Sequence, residues 1–496
     1  MGSFRQRFGW LFVLSAAGFL LSFGNQLVVS FRFGTSVALD AYWALFAAAN
    51  LLLFYVQPLR EALVPPVFTA AGADRERACA LFSAGLAAQA VLALASTALL
   101  LLAPSGVLAH FGVHEPGLGG LLFGFLPFFL LYALAETCNG LLLSFNRAVY
   151  QAVARLASAL VGLVCLWLLA GRIGVLALVF SLLISQLATL LVSVLGLQRE
   201  GLRWVWRGFA PLWQESRFLS VISALLFTYL LAQVYVVVER VTMLGMQPGL
   251  VASYQYSVTL VNVLISLLAF PVANLLWPRF LAQASQGGAE AMLHTATRVV
   301  APLTLTLLAC CSFTERFAVE IVQVLFARGS FDAASVVQTS QALRATVFAA
   351  IPISLFTIFT RILFSQGRGR AIAAGGVSIA LSGSGVVLLA GWLGSVALVQ
   401  WHWVIGNTVG LLVVLLMLLR RVDHPAQYIC SAFSWLFRSC VVILLALAVT
   451  PSASSASSIW TNISSLALSL VIFGGIVMLL ASLARVVDLR QILGRR

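Results

Sequence analysis

The polar side chains of this chain that could bind something stand inside apolar runs or at their ends. They are Asn25 and Gln26 side by side, Asp40, the pair Arg60-Glu61, Glu136 with Asn139 three residues on, the pair Glu239-Arg240, and Arg361. Amides hydrogen-bond sugar hydroxyls and phosphate oxygens, a carboxylate holds a proton or a cation, and a guanidinium pairs with a carboxylate or a phosphate. This is the chemistry of binding. No Gly-rich phosphate loop, nucleophile elbow or H-E-x-x-H pair occurs, so neither ATP hydrolysis nor covalent catalysis is expected, and no cofactor is implied. Cys79, Cys138, Cys165, Cys310, Cys311, Cys430 and Cys440 lie mostly in apolar runs without C-x-x-C spacing. They read as small buried hydrophobes, not as disulfides or metal ligands. His402, in QWHW, reads as part of an interfacial aromatic belt.

The elements that position these groups follow from composition. Hydrophobic residues make up 61% of the 496 residues and charged residues 9%, against about 25% charged in a soluble domain. Such a chain cannot cover itself with polar surface, so its solvent is lipid. A spanning helix needs about 20 mostly apolar residues. About fourteen such segments are present, near 8–30, 37–58, 81–103, 119–144, 149–171, 174–197, 217–239, 250–277, 297–325, 341–364, 371–394, 396–419, 431–450 and 460–484. The first follows Arg5 and Arg7 and reads as an uncleaved helix, given the many later spans.

The net charge of +14 does not point to nucleic acid, because its distribution has another explanation. All 29 basic residues are Arg. With the N-terminus in the cytoplasm, 23 of them fall inside and 6 outside: Arg32, Arg172, Arg240, Arg316, Arg328 and Arg344. That is the positive-inside bias along the whole chain, with both termini cytoplasmic.

The longest inside connection, QREGLRWVWRGFAPLWQESR at 198–217, interleaves aromatic and basic residues like a segment lying on the membrane surface. It separates six spans from the next six. Residues 40–72 align without gaps on 252–284, with Tyr42 on Tyr254, Pro66 on Pro278, Phe68 on Phe280 and Ala70 on Ala282. Six spans is an even number, so the copies are parallel repeats, with a cavity between them. The expected organisation is an N-lobe at 1–200, an amphipathic connection at 201–217, a C-lobe at 218–422, and two added spans with a tail at 423–496.

A charge at the centre of a spanning helix costs about 2.5–3.5 kcal/mol on insertion scales, so each polar group there needs a reason. Asn25 and Gln26 either hydrogen-bond between helices or line a cavity. Asp40 opens the second span and reads first as its N-cap, with ligand or proton binding as the alternative. Arg60-Glu61 is either a short interfacial ion pair or a gate and headgroup contact. Glu136 is expected to be paired or near the cytoplasmic interface, Glu239-Arg240 to be an interfacial pair, and Arg361 to snorkel to the cytoplasmic surface.

With these residues in place, RFG-x3-ALDAYWALF, then NLL, then ALVPPVF resembles the MurJ/MviN lipid II flippase family of bacterial inner membranes. The residues concerned are Phe33-Gly34, Asp40-Ala41-Tyr42, Asn50-Leu51-Leu52 and Val64-Pro65. QVYVVVERVTMLGMQPGLVASYQYS resembles the family's seventh span and the approach to the eighth, with Glu239-Arg240 where Asp-Arg is usual. VLFARGSFDAASVVQTSQALRATVFAAIP resembles its outer loop and tenth span, with Phe326, Gly329, Phe331 and Asp332 in place. The resemblance implies an all-α carrier of fourteen spans. It also implies a function: moving a polyprenyl-diphosphate-linked saccharide, lipid II or an exopolysaccharide unit, from inner to outer leaflet by alternating access. Implied partners are that substrate, membrane lipids, and a coupling cation or the membrane potential.

The sequence departs from the family where charge is usual. Asn25-Gln26 stand for Arg-Asp, Leu53-Phe54 for an Arg pair, Thr259 and Asn262 for Arg and Glu on the eighth span, and Phe19 for a further Arg. Asp40 is retained. The resemblance thus makes Asn25, Gln26, Asp40, Arg60, Glu61, Thr259, Asn262 and Arg361 the candidate substrate contacts. Two other readings are a cation-coupled multidrug antiporter of the same broad fold and a transport-inactive scaffold for envelope assembly.

The Arg asymmetry predicts the orientation. A cysteine introduced as Ser454→Cys in the SASSASS loop should react with an impermeant thiol reagent from the periplasmic side of intact cells. Reaction only after permeabilisation would reverse the arrangement.

Overall fold

The structure, a computed structural model, describes residues 2–102, 119–144, 148–213, 218–284, 289–366, 368–420, 422, 425–450 and 459–483. The loop around Ser454, residues 214–217 and the tail after 483 lie outside the described residues, as do the side chains of Arg5, Arg7 and Phe19. Among the described residues there is no strand. The helices in chain order are α1 Gly2–Phe33, α2 Val37–Leu52, α3 Val56–Ala73, α4 Arg75–Leu101, α5 Gly119–Ser144, α6 Ala148–Ile173 and α7 Leu176–Arg199. After a short turn at Ala210–Trp213 come α8 Phe218–Met246, α9 Leu250–Leu264, α10 Phe270–Ala284, α11 Ala289–Arg316 and α12 Ala318–Phe326. The chain continues with α13 Ala333–Thr346, α14 Ala350–Ser365, α15 Gly369–Leu393, α16 Val396–Leu419, α17 Pro425–Val449 and α18 Ile459–Leu483.

Every expected span lies in helix. Among the described residues 12 helices are long and apolar enough to cross a membrane, or 13 with α2 and α3 counted as one span bent by 43°. Helix α1, at 32 residues, covers the remaining segment. The chain is an all-α, multi-pass integral membrane protein.

Several spans are less regular than their apolar runs suggest. The second, expected straight over 37–58, breaks at Leu53–Tyr55 and continues through Pro65 and Pro66 to Ala73. Carbonyls freed at the break need donors, because lipid supplies none. Helix α4 braces the break: Ser96 Oγ donates to the freed Leu52 O at 2.9 Å, and Gln89 Nε2 adds a bond to Val56 O, at the start of α3, at 3.1 Å. The eighth span carries a π turn at Ile265–Ala269, just before Pro271, whose missing N–H and ring disturb the regular ladder. The ninth breaks at Phe317 between α11 and α12.

The chain forms two compact units. Unit 1 is Met1–Ala252 with Arg328–Phe331. Its core joins α3, α4, α5 and α7 through Leu63, Leu81, Phe82, Leu141, Leu142 and Leu197. Gly85 lets α3 approach α4 closely, since a Cβ there would lie 2.3 Å from a Leu63 methyl. The 198–217 connection belongs to this unit and is without regular secondary structure from Leu202 to Gly208. It is fastened to α4: Val205 N donates to Ser83 Oγ at 2.7 Å, and Arg207 pairs with Glu76 at 2.7 Å. Leu202 and Leu212 are buried while Trp204, Trp206, Phe209 and Trp213 are exposed, so the amphipathic pattern is realised largely in irregular chain.

Unit 2 is Ser253–Ala327 with Asp332–Arg496. One of its clusters packs Phe313 and Phe317 against Phe473, Val442 and Ile443, joining α11 to α17 and α18. Asp332 caps α13, accepting from Ser335 N at 2.8 Å and from its hydroxyl at 2.7 Å. These bonds hold its carboxyl below the usual range. In QWHW only part of the expected aromatic belt is exposed: His402 is fully buried, with Nε2 3.2 Å from the Tyr254 hydroxyl.

Two glycines lock the end of α1. Ser330 N donates to Phe31 O at 2.9 Å and Ser330 Oγ to Arg32 O at 3.1 Å, satisfying carbonyls of the last turn. Gly34 and Gly329 have φ of 54° and 63°, and a Cβ on either would lie 2.3 Å from a backbone oxygen, of Ser330 and Phe31 respectively. Left-handed strain alone costs roughly 1–3 kcal/mol for a side-chain-bearing residue. Gly34→Ala and Gly329→Ala should therefore lower the unfolding temperature of the solubilised protein by more than Gly174→Ala. Gly174 has φ 58° but nothing within 4 Å of its Cβ position. Equal shifts for all three would refute the lock.

Candidate functional site

Asp40 does not cap its own helix. Ser36 occupies the N-cap of α2, and Asp40 sits in the first turn, only 1% exposed. Its carboxylate accepts from Gly249 N at 2.5 Å and from Ala252 N at 2.7 Å, so it caps the N-terminus of α9, more than two hundred residues on. The fit has a clear cause. The first N–H groups of a helix lack intrahelical partners and carry its positive dipole end. Gly249, at φ 80°, turns the chain so that two of them face one carboxylate.

Glu239 and Arg240 stand close by on α8, which runs on to Met246. They are 3.3 Å apart and almost wholly buried, where an interfacial pair was expected. The Arg240 guanidinium also donates to Val251 O at 3.4 Å. The side chains of these residues thus hold the start of α9 within unit 1.

Arg60 pairs chiefly with Glu136 of α5, at 3.0 Å, and only loosely with its neighbour Glu61, at 3.8 Å. The expected local pair is therefore a long-range one, and Glu136 has the partner foreseen for it. Gln57 Nε2 donates to the same Glu136 oxygen at 3.4 Å, and Tyr229 donates its hydroxyl to Glu61 at 3.0 Å. Gly140 makes the crossing possible, because a Cβ there would lie 2.3 Å from the Arg60 stem. The group holds one guanidinium against two carboxylates, with Arg60, Glu61 and Glu136 side chains 24%, 39% and 22% exposed.

Asn25 and Gln26 are half-buried on α1. The side-chain oxygens of both are buried and accept no hydrogen bond, as is Asn139 Oδ1 on α5. Of the two roles open to Asn25 and Gln26, these oxygens do not serve interhelical bonding. They are acceptors with unused capacity.

Three candidates lie in unit 2. Thr259 Oγ1 donates to Gln255 O on its own helix at 2.9 Å, and Asn262 is exposed. Arg361 does not simply snorkel: its guanidinium lies over the Trp277 ring, 4.6 Å from the centroid, and Trp277 meets Phe364 edge-on. The structure thus brings Arg60 and Glu61 together with Glu136. It places Asp40 in a separate contact with α9 and Arg361 on an aromatic face. The residues that sequence reasoning missed were Gly249, Tyr229, Gly140 and Trp277. Gly249 alone had a signal, the QPGL turn before an apolar run. Among the described residues no group of three or more His, Cys, Asp or Glu could hold a metal ion.

Bent and broken apolar helices with polar groups set inside them are the architecture of a membrane transporter, as the solved structures that share it show. The fold agrees with solved carriers. It superposes on a structure described as "Lipid II flippase MurJ, inward closed conformation" with TM-score 0.77 at 13% identity, covering 98% of this chain and 99% of that one. It also resembles an inward-facing multidrug resistance MATE family transporter of the MOP superfamily, with TM-score 0.66 at 16% identity over 83% and 95% of the two chains. A MOP superfamily transporter from Pyrococcus furiosus gives TM-score 0.57 at 16% identity over 84% and 96%. No curated protein matches the sequence. The model of the lipid II flippase MurJ family matches residues 29–471. The chain belongs to that family.

Asp40→Ala leaves two N–H groups of α9 without a partner, which costs roughly 1–3 kcal/mol for each buried group. Asp40→Asn keeps an acceptor but loses the charge. The unfolding temperature should fall in the order wild type, Asp40→Asn, Asp40→Ala. An Ala variant as stable as wild type would show that the contact contributes nothing.

Proposed function

We propose that this chain is a flippase that carries a polyprenyl-diphosphate-linked saccharide from the inner to the outer leaflet of the bacterial inner membrane by alternating access. Both of its termini then lie in the cytoplasm. The observation that carries the reading is the family match over residues 29–471 together with a flippase-like fold over nearly the whole chain. An inside-negative potential assists the outward movement of an anionic headgroup by about 2.3 kcal/mol per charge per 100 mV.

The cargo on this reading is a lipid-linked saccharide other than lipid II. A diphosphate in a low-dielectric site needs cationic partners or several hydrogen-bond donors. Phe19, Asn25, Leu53, Phe54 and Thr259 occupy positions where the family usually has Arg. Arg60 is engaged by Glu136 at 3.0 Å, whereas Arg361 carries its charge on a ring and no ion pair. Arg361 is therefore the cation we assign to the diphosphate. The amides of Asn25 and Gln26 then meet sugar hydroxyls.

The likeness to multidrug transporters supports a second reading, a cation-coupled antiporter. Its cation would use Glu61 and Glu136, the carboxylates grouped around Arg60.

The test is complementation of cells depleted of their only lipid II flippase. The wild-type chain, present in the membrane, should fail to rescue. The combined Asn25→Arg, Gln26→Asp and Thr259→Arg variant should rescue partly, and adding Arg361→Gln should abolish that rescue. Robust rescue by the wild-type chain would overturn the altered cargo.

A further inference from the structure

Away from all of these residues, unit 2 holds an open pocket of about 490 Å³ whose apolar wall carries a few polar groups. Three elements bound it: the last turn of α11 with Glu315, α13 and the turn after it with Gln341, Arg344 and Phe348, and the start of α16 with Gln400 and Trp401. On the orientation in which the N-terminus is cytoplasmic, this end of unit 2 faces outward.

The polar groups of the lining are not engaged with one another. Gln400 is only 7% exposed, and among the described residues no group hydrogen-bonds its amide, whose atoms reach the pocket. Among the described residues Glu315, Gln341 and Arg344 likewise have no side-chain hydrogen bond or ion pair, although Glu315 and Arg344 carry opposite charges on the same cavity. A mostly buried amide whose free atoms open onto a pocket is placed where something else can bond to it.

The chemistry of the lining selects the ligand. One carboxylate and one guanidinium sum to zero charge. A simple anion is repelled by Glu315 and a simple cation by Arg344. A neutral molecule rich in hydroxyls satisfies both, because each hydroxyl donates and accepts. Beside these groups the rings of Phe348 and Trp401 are stacked, with centroids 6.1 Å apart and planes 10° from parallel, and Trp401 is 41% exposed. Aromatic faces pair with the C–H face of a sugar ring. The volume lies within the roughly 300–1,000 Å³ usual for small-molecule sites. We propose that this cavity is a binding site for a neutral saccharide, one ring lying against the Phe348–Trp401 pair and its hydroxyls bonded to Gln400, Gln341, Glu315 and Arg344. The site does not depend on the transport reading and stands if that reading fails.

Saturation-transfer NMR on the full-length protein in lipid nanodiscs, with empty nanodiscs as blank, tests this. The probes are maltotriose, cellotriose and chitotriose, with glutamate and inorganic phosphate as charged alternatives. At least one trisaccharide should receive saturation. Trp401→Ala should abolish the transfer, and Gln400→Leu should weaken affinity at least 10-fold. Trp392→Ala, at an exposed ring elsewhere in unit 2, should bind as wild type. Arg344→Gln, at an exposed position, should also weaken binding and guards against a folding defect in the buried variants. The site is overturned by any of three results: no transfer to any trisaccharide, equal transfer in wild type, Trp401→Ala and Arg344→Gln, or stronger binding of glutamate or phosphate than of all three sugars.

Discussion

Lipid offers the backbone no hydrogen-bond partner, and most of this structure follows from that constraint. A helix meets it along its length but not at its ends or breaks. At three irregular points a specific group meets that need. Ser96 takes the carbonyl freed between α2 and α3 while Gln89 bonds the first carbonyl of α3, Asp40 takes the N–H groups that open α9, and Ser330 takes the carbonyls that end α1. Polar residues that look out of place in apolar runs are thus placed by their neighbours' needs. Asp40 is the clearest case, because a buried carboxylate is tolerable only where two donors meet it.

The same constraint explains what was legible in the sequence. An apolar run of about 20 residues has essentially one fate in a bilayer, so the spans and the all-α class could be read from composition. The bend near Leu53 could not. The donors that stabilise it, Gln89 and Ser96, lie 33 and 44 residues from the carbonyls they serve. The break at Phe317 and the π turn at Ile265–Ala269 fall in runs whose hydropathy does not change. The aromatic connection after Arg199 showed its alternation in sequence, but its course is fastened by Ser83 and Glu76 on α4.

For the candidate site, sequence gave the residue types and misjudged their partners. Adjacent opposite charges invite a local reading, as with Arg60-Glu61. In the folded chain Arg60 reaches across Gly140 to Glu136, because two helices that close together offer better geometry than neighbours on one helix. Asp40 was read as a cap, which it is, but of another helix. Arg361 was read from its depth alone, and the ring of Trp277 lies 84 residues away, by 361 − 277. In each case the chemistry was local and the partner was tertiary.

Replacing charged groups by amides has a consequence for a carrier beyond weaker binding. A buried Arg without its ligand must keep a counter-ion or suffer a desolvation cost of several kcal/mol, whereas an unpaired amide oxygen costs roughly 1–3 kcal/mol. Asn25 and Gln26 leave their oxygens unpaired and need no counter-ion. Their contribution to holding an anionic headgroup is correspondingly small, which shifts that task to Arg361 on the proposed reading. There the guanidinium rests on Trp277, whose ring partly replaces water without neutralising the charge. A cation held in this way remains available to a diphosphate. The Glu136-bound Arg60 does not, because it would have to give up its carboxylate first.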